Sequence, residues 1–312
     1  MNALRPKIFV VGSFVVSITI GVPRMPVLGE TLIGDRFDMG PGGKGSNQAV
    51  AAKRLGADVS LLACIGDDEF VTLADKWFAQ EGITCDHIYK MPGINTALGF
   101  VHLVPAGDNW IVGHLGANLH MRPEHVEAAQ QEIAAADIVL TQYEVPIAVV
   151  RRTLELGRKY GRTTIWNPAP AQPMAEDFLE LVDVLTPNET ELRVLLDLSP
   201  ADPTSNEELA SRLLRKGAGA VVATLGSQGA MIVTADGVEM VPAVSDVSVV
   251  DVTAAGDSFN AALAVGLGRG LSLRDAVMEA TYAGAYAVEH LGGIDGLPTF
   301  AQLERFRQNH LR

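Results

Sequence analysis

The residues best suited to chemistry stand at 249–257, where Val249-Val250-Asp251-Val252-Thr253-Ala254-Ala255-Gly256-Asp257 leads directly into the helical run SFNAALAVGLG. Small residues at Ala254, Ala255 and Gly256 let backbone N–H groups approach a ligand, and the helix N-terminus behind them adds positive potential for an anion. A carboxylate at Asp257, beside such a turn, can take a proton from a hydroxyl while the backbone stabilises a transferring phosphoryl group. The same carboxylate would equally serve as an N-terminal cap. A second glycine loop, Gly40-Pro41-Gly42-Gly43-Lys44-Gly45, opens another helix. By letter it matches a dinucleotide-binding fingerprint, with Asp67 about 20 residues further on. Against that, Pro41 stiffens the turn and the preceding GDRFDM is a poor buried strand. It is no Walker A loop either, because Gly45 follows the lysine where Ser or Thr is needed. Lys44 and Asn47 suggest a grip on a polar ligand, and a purely structural glycine turn is the simpler alternative.

The elements that position these loops alternate. The spacing predicts helices over 46–55, 70–81, 123–135, 146–160, 189–197, 206–216, 256–268 and 273–289, with strands over 58–65, 137–141, 163–166, 183–186 and 219–224 and a β-rich patch at 229–241. Such alternation gives right-handed βαβ units and a mostly parallel sheet covered on both faces. Ligands of open parallel sheets sit beyond the carboxyl ends of the strands. Those ends are polar or glycine-rich here: Gly12-Ser13, Gly66-Asp67, Glu144, Asn167, Asn188 and Gly226. Two stretches, 14–40 and 94–116, carry short strand-like runs without a helix and predict a small sheet outside the main layer.

Composition narrows the classes. The 312 residues suit one large domain or two ordinary ones, with ample apolar content for a core. A net charge of -13 argues against a protein that coats nucleic acid. Cys64 and Cys85 form no metal or disulfide pattern, so the chain reads as soluble and cytoplasmic. Ile8 to Val22 imitates a signal peptide but is too short to cross a bilayer and reads as two buried strands split by Gly12-Ser13. His114, His120 and His125 read as surface residues. Trp77 reads as core, and Trp110 and Trp166 as packing, with Trp166 one residue from Asn167. Tyr282 and Tyr286, at i and i+4, read as helix packing.

These segments, in this order, resemble the PfkB-type, ribokinase-like family of carbohydrate kinases over nearly the whole chain. The amino-terminal signature is Gly42-Gly43-Lys44-Gly45-Ser46-Asn47-Gln48-Ala49, followed by Leu55-Gly56-Ala57 and Ile65-Gly66-Asp67-Asp68. The carboxy-terminal one is Asp251 to Asp257 with Ser258-Phe259-Asn260. Between them lie Asn167-Pro168-Ala169-Pro170-Ala171, Thr186-Pro187-Asn188-Glu189-Thr190-Glu191 and Thr224-Leu225-Gly226-Ser227-Gln228-Gly229.

The resemblance implies a three-layer α/β/α sandwich with a mostly parallel central sheet and a small β-sheet lid. Residues 1–13, 41–93 and 117–312 would form the catalytic part, and 14–40 and 94–116 the lid. It implies ATP-dependent phosphorylation of a primary hydroxyl on a small sugar, ribose first among candidates, by a homodimer joined through the lid, with no nucleic-acid or membrane partner. Lid residues Ile18, Ile20, Leu98, Phe100 and Val101 would meet the second subunit. Asp257 would be the general base, and the amides of 254–257 the anion hole. Gly42, Gly43, Lys44, Asn47, Glu144, Asp251 and Ser17 would surround the sugar. Asn188 and Glu191 would organise magnesium through water, and Thr224, Gly226 and Gly229 would line the nucleotide. Asp251, Thr253, His290 and Gly292 match the positions that hold a monovalent cation, potassium being the usual one.

One departure bears on the acceptor. The family carries G-S-x-N-x-D after its first strand, whereas this chain has Gly12-Ser13-Phe14-Val15-Val16-Ser17. An amide becomes apolar Val15 and a carboxylate becomes the short hydroxyl of Ser17. Charge-assisted hydrogen bonds of that kind are worth about 1.5–3 kcal/mol each. Deoxyribose, a ketose, a sugar acid or a nucleoside are therefore alternative acceptors. A non-catalytic sugar or nucleotide sensor and a nicotinamide-dependent dehydrogenase are the more distant readings.

Overall fold

The apolar run after Lys7 folds as two strands that part company. In the computed structural model, which describes residues 5–104, 109–174 and 176–310, strand β1 (Lys7–Val11) is buried on both faces from Ile8 onward. Residues 1–4, 105–108 and 311–312, assigned above to the catalytic part and the lid, lie outside the described residues, as does residue 175. Gly12 and Ser13 end β1, and β2 (Val15–Gly21) leaves the main layer to pair antiparallel with β3 (Arg36–Gly42). Helix α1 (Lys44–Arg54) then returns the chain to β4 (Asp58–Ile65), α2 (Phe70–Glu81) and β5 (Thr84–Lys90). Strands β6 (Leu98–Leu103) and β7 (Asn109–His114) complete a four-stranded sheet in the order β3-β2-β6-β7.

The remainder is the expected alternation: α3 (Pro123–Ala128), α4 (Gln130–Ala135), β8 (Ile138–Thr141), α5 (Ile147–Lys159), β9 (Thr163–Trp166), β10 (Val184–Leu185), α6 (Glu189–Leu195), α7 (Asn206–Arg215) and β11 (Ala220–Thr224). A hairpin of β12 (Ala230–Thr234) and β13 (Gly237–Val241) precedes α8 (Ala255–Gly268), α9 (Leu273–Val288) and α10 (Phe300–His310). The large sheet runs β13-β12-β11-β10-β9-β8-β1-β4-β5, and only its last two strands, β12 and β13, pair antiparallel. Helices α1, α2, α8, α9 and α10 pack one face around Ile8, Leu61 and Leu263; α3 to α7 pack the other around Phe9, Val139 and Leu154. Strand order reverses between β1 and β8, the place where such sheets open a crevice at their carboxyl edge.

Several sequence expectations need correction. The helix over 123–135 is two, because Ala129 (φ −96°, ψ 15°) leaves the α region. The strand over 183–186 shortens to two residues. Strand β5 was not foreseen, since its edge position leaves most side chains exposed and blurs the alternation. Helix α10 was also missed, although Thr299 and Gln302 bond reciprocally at its start, a capping pattern visible in the letters. Trp77 is half-buried against Phe14 instead of being core, and Trp110 is 46% exposed on the small sheet.

Pleating divides the small sheet into two faces. Val15, Ser17 and Thr19 lie in register with Gly99 and Val101, on the side that turns toward the carboxyl edge of the large sheet. The opposite face carries exposed Phe37, Phe100, Trp110 and Val112. The group expected to meet a second subunit is therefore split. Ile18 and Leu98 pack on the core, Val101 faces inward, and Ile20 and Phe100 stay on the outer side.

The two layers are pinned where α1 begins. A Cβ on Gly45 would stand 2.4 Å from the Ser13 nitrogen and 2.7 Å from the Gly12 Cα, both backbone atoms that cannot step aside. Gly45→Ala should therefore lower stability by about 2–3 kcal/mol despite its gain in helix propensity, as read by urea unfolding. Unchanged stability would mean that α1 can slide away from β1.

Candidate active site

Two helix starts meet over the carboxyl edge of the sheet. At one, Gly43 (φ 88°) takes a backbone conformation open to glycine and starts α1 with Lys44. At the other, Ala254 (φ 60°) is the N-cap of α8, which places Gly256 and Asp257 at the second and third helical positions. N–H groups there have no intrahelical acceptor and stay available to an anion. Residues of α1 reach across to the carboxylate. Asn47 donates from Nδ2 to Asp257 Oδ2 at 2.8 Å, and Gln48 donates from Nε2 to Oδ1 at 2.9 Å.

Asp257 is buried. Burial pushes its carboxyl above the ordinary Asp range; Lys44 and the amides of Asn47 and Gln48 pull it back in part, and Glu144 adds to the rise. Burial alone would lower the Lys44 ammonium. The carboxylates of Asp257, Glu144 and Glu191 outweigh that and hold it above the usual lysine value. Glu191 is raised, chiefly by burial. One lysine thus sits among three carboxylates at a pair of helix N-termini.

Loop glycines and strand ends brace this cluster. Glu144, beyond β8, accepts from the Lys44 backbone N–H at 2.8 Å and from the Ser13 hydroxyl beyond β1, so it spans the point where strand order reverses. The Asp251 carboxylate accepts from Thr253 N–H at 2.9 Å and Gly292 N–H at 3.0 Å, which ties the loop before α8 to the loop after α9. Asn188 caps α6 in a reciprocal box with Glu191, each side chain accepting from the other's N–H at 2.8 Å. Asn47 Oδ1 is buried without a partner among the described residues, a spare acceptor beside Asp257.

A cleft of about 700 Å³ lies between the small sheet and these loops. Its walls include Ser17, Gly42, Gly43, Lys44, Asn47, Glu144, Asn188, Glu191, Thr224, Asp251, Thr253, Ala254, Gly256, Asp257 and Gly292. Four expected positions lie off its surface. Ala255 is the first helical residue behind the turn. Gly226 (φ 53°) shapes a turn, and Gly229 (φ 93°) backs onto the Val241 carbonyl, where a Cβ would sit at 2.1 Å. The His290 ring, beyond the end of α9, folds back on that helix, stacking on Tyr286 with Nδ1 2.8 Å from the Tyr286 carbonyl oxygen. Trp166 is core, edge-on to Tyr143 and Phe178. The 40–45 loop follows an antiparallel strand of the small sheet, not a parallel one, which removes the dinucleotide fingerprint.

Sequence reasoning missed the layer beneath. Gln48, Gln142, Thr186 and Asn260 form a buried chain with Asn167: Gln142 to Gln48 at 2.7 Å, Gln48 to Asn167 at 3.1 Å, Asn167 to the Thr186 carbonyl at 3.0 Å, Thr186 to Asn260 at 2.6 Å, and Asn260 back to the Gly256 carbonyl at 2.8 Å. Two signals were legible: polar residues directly after β8, β9 and β10, and Asn260 three residues beyond Asp257 on the same helix.

Comparison with known proteins defines the class. Residues 5–300 match the pfkB family carbohydrate kinase model, and the chain belongs to that family. It is thus a carbohydrate kinase, a phosphotransferase with an alcohol group as acceptor, and ATP is its donor. Ribokinase of Haemophilus influenzae is 35% identical over 306 residues, 98% of this chain and all of that protein. The structure of ribokinase from Thermotoga maritima superposes with a TM-score of 0.88 at 31% identity, covering 98% of this chain and 100% of that one. Ribokinase of Arabidopsis thaliana, complexed with ribose and ATP, gives 0.88 at 27% identity over 97% and 99%. The fold is ribokinase-like.

If Asp257 takes the proton from the acceptor, it must be ionised to act. Its raised pKa then removes activity as pH falls through a value above the ordinary 3.9 or so of an aspartate. A pH profile of kcat should show an acid limb above that value, and a limb at or below it would show that burial does not govern this group.

Proposed function

We propose that the chain transfers the γ-phosphoryl group of ATP to a primary hydroxyl of a small sugar, with Asp257 as general base. Ribose is the acceptor to which the relatives point. The observation that carries this is the buried Asp257 carboxylate at the third position of α8, beside unclaimed N–H groups and Lys44. Asp257 removes the hydroxyl proton as the oxygen attacks. The amides around Gly256 and Asp257, with Lys44, stabilise the charge spread over the moving phosphoryl group, and little covalent chemistry is left to the protein. Asn47, with its spare Oδ1, holds the acceptor in line, aided by Gly43, Asp251 and Glu144. The lid, assigned to 14–40 and 94–116 over a catalytic part of 1–13, 41–93 and 117–312, closes to keep water from the donor.

Thr224 would flank the nucleotide, with Gly226 and Gly229 shaping its turn. Among the described residues no cluster of three or more His, Cys, Asp or Glu forms a metal cage. Magnesium needs none, since it keeps waters and shares the phosphates with one or two carboxylates. Glu191 offers one oxygen outside its capping bond, and Asn188 orients it. A potassium site at Asp251, Thr253, His290 and Gly292 is supported by the bond from Gly292 N–H to Asp251, which brings the loop before α8 against the loop after α9. A homodimer is supported by the exposed apolar outer face of the small sheet, which carries Phe37 on one edge strand, Phe100 on an inner one and Trp110 and Val112 on the other edge. A cytoplasmic location fits a chain without a helix that could cross a membrane among the described residues.

Asp257→Asn should lower turnover at least about 100-fold while ATP binding, followed by calorimetry, is largely kept. Near-normal turnover would remove the base assignment. The acceptor is tested by ADP release across pentoses, deoxypentoses, ketohexoses, sugar acids and nucleosides. With ribose as the natural acceptor, restoring the family's polar pair through Val15→Asn and Ser17→Asp should change kcat/KM on ribose by less than about 10-fold. A large gain would mark ribose as a secondary acceptor for the natural chain. No gain beside brisk wild-type turnover would mean that Val15 and Ser17 already accommodate it.

A further inference from the structure

Gln48 does not line the cleft, is fully buried, and yet touches the proposed base. Its amide is saturated. Both Nε2 hydrogens are used, one on Asp257 Oδ1 and one on Asn167 Oδ1, and Oε1 accepts from Gln142 Nε2. Turning the amide over would aim Oε1 at a carboxylate and a carbonyl-type oxygen, and would set two NH2 groups face to face. The three partners therefore dictate one orientation. Asn167 is itself fixed, tied to the Thr186 carbonyl at 3.0 Å, while Gln142 buries its Oε1 without a hydrogen-bond partner among the described residues and holds Gln48 through Nε2 alone. Both stand at the ends of adjacent buried strands.

We propose that Gln48 is the positioning residue of the Asp257 carboxylate, locked in its donating orientation by Gln142 and Asn167. The proposal rests on Asp257 being the base. Asn47 can do only half of this work, because its one bond leaves Oδ1 of Asp257 unclaimed and the carboxylate free to rotate. With Gln48 in place, each oxygen has one amide donor and the plane of the carboxylate is set. The donors also favour its ionised form. The charged groups acting on it from the packed elements are Lys44 of α1, which favours that form, and Glu144 beyond β8 and Glu191 of α6, which oppose it.

The test replaces the donor and keeps the bulk, with Gln48→Met in the full chain. In protein labelled with 13C at aspartate carboxyl carbons, the Asp257 signal is identified by its loss in Asp257→Asn. Its titration midpoint should rise by about one pH unit in Gln48→Met. With ribose, ATP and magnesium, kcat at neutral pH should fall about 10- to 100-fold and recover as pH rises, with KM for ribose within about threefold. Gln142→Leu, which frees Gln48 to turn, should move both readouts the same way by less. It also serves where Gln48→Met fails to fold. An unmoved midpoint in a folded variant, even one with lowered thermal stability, would overturn the proposal and leave Gln48 as core filling. The carboxyl titration does not depend on turnover, so normal activity in Asp257→Asn would sink the base assignment separately.

Discussion

The structure turns on a carboxylate kept out of water. Moving a carboxylate ion into a protein interior costs several kcal/mol even after relaxation, so Asp257 is tolerable only where fixed dipoles and an opposite charge replace its hydration. The first turns of α1 and α8 supply them by crossing at its position: two amides from α1, the positive end of α8 itself, and the Lys44 ammonium. That crossing sets demands elsewhere. Gly45 must lack a side chain so that α1 can lie on the end of β1, and Gly43 must take a positive φ so that the chain can leave the small sheet and start the helix in one step. The polar ends of β8 to β10 then complete the dry network under the helices.

Charge makes the same arrangement necessary for binding. A chain with a net charge of -13 repels ATP at long range. Three of the side chains around the reaction centre are carboxylates as well. Attraction must therefore come from groups whose effect is strongest at short range in a closed site: helix N–H groups and one lysine. Lys44 is held firmly charged by the very carboxylates that would otherwise oppose the nucleotide. Closure of the small sheet over the cleft, as proposed above, would strengthen each of these interactions by excluding solvent.

Much of this was legible in the letters. Glycine, small residues and an aspartate before an apolar helix announced α8, and the Gly-Gly-Lys-Gly run announced α1, because each backbone feature needs a particular residue type. The alternation of elements gave the parallel sheet, and the missing helices at 14–40 and 94–116 gave the small one. What stayed hidden were distances in space between distant letters. Nothing in Gln48, Gln142 or Asn260 separates a buried amide from a surface one until α1, β8 and α8 are brought together. Trp110 shows the same limit in reverse, since an aromatic in a strand reads as packing although pleating turned it outward. Asp251 carried a third lesson. Each oxygen of that carboxylate accepts one loop N–H, so a residue that lines the cleft also joins two loops, a task the letters did not show.

The division between the two sheets also separates what the chain does from what it does it to. Asp257, Lys44, Asn47 and the strand-end network belong to the large layer and its helices, held by bonds that reach across the whole switch point between β1 and β8. Val15 and Ser17 belong to β2, which pairs only with other strands of the small sheet. Their side chains form part of the cleft wall but make no bond to the base or its supports. On the proposed assignment, changing them would alter which hydroxyls and apolar edges the wall accepts and leave the proposed base and anion site untouched. A lid strand of this kind can drift toward a new acceptor while phosphoryl transfer persists. The apolar Val15, standing against Gly43 and Gly99 beside an intact reaction centre, has the form such drift would take.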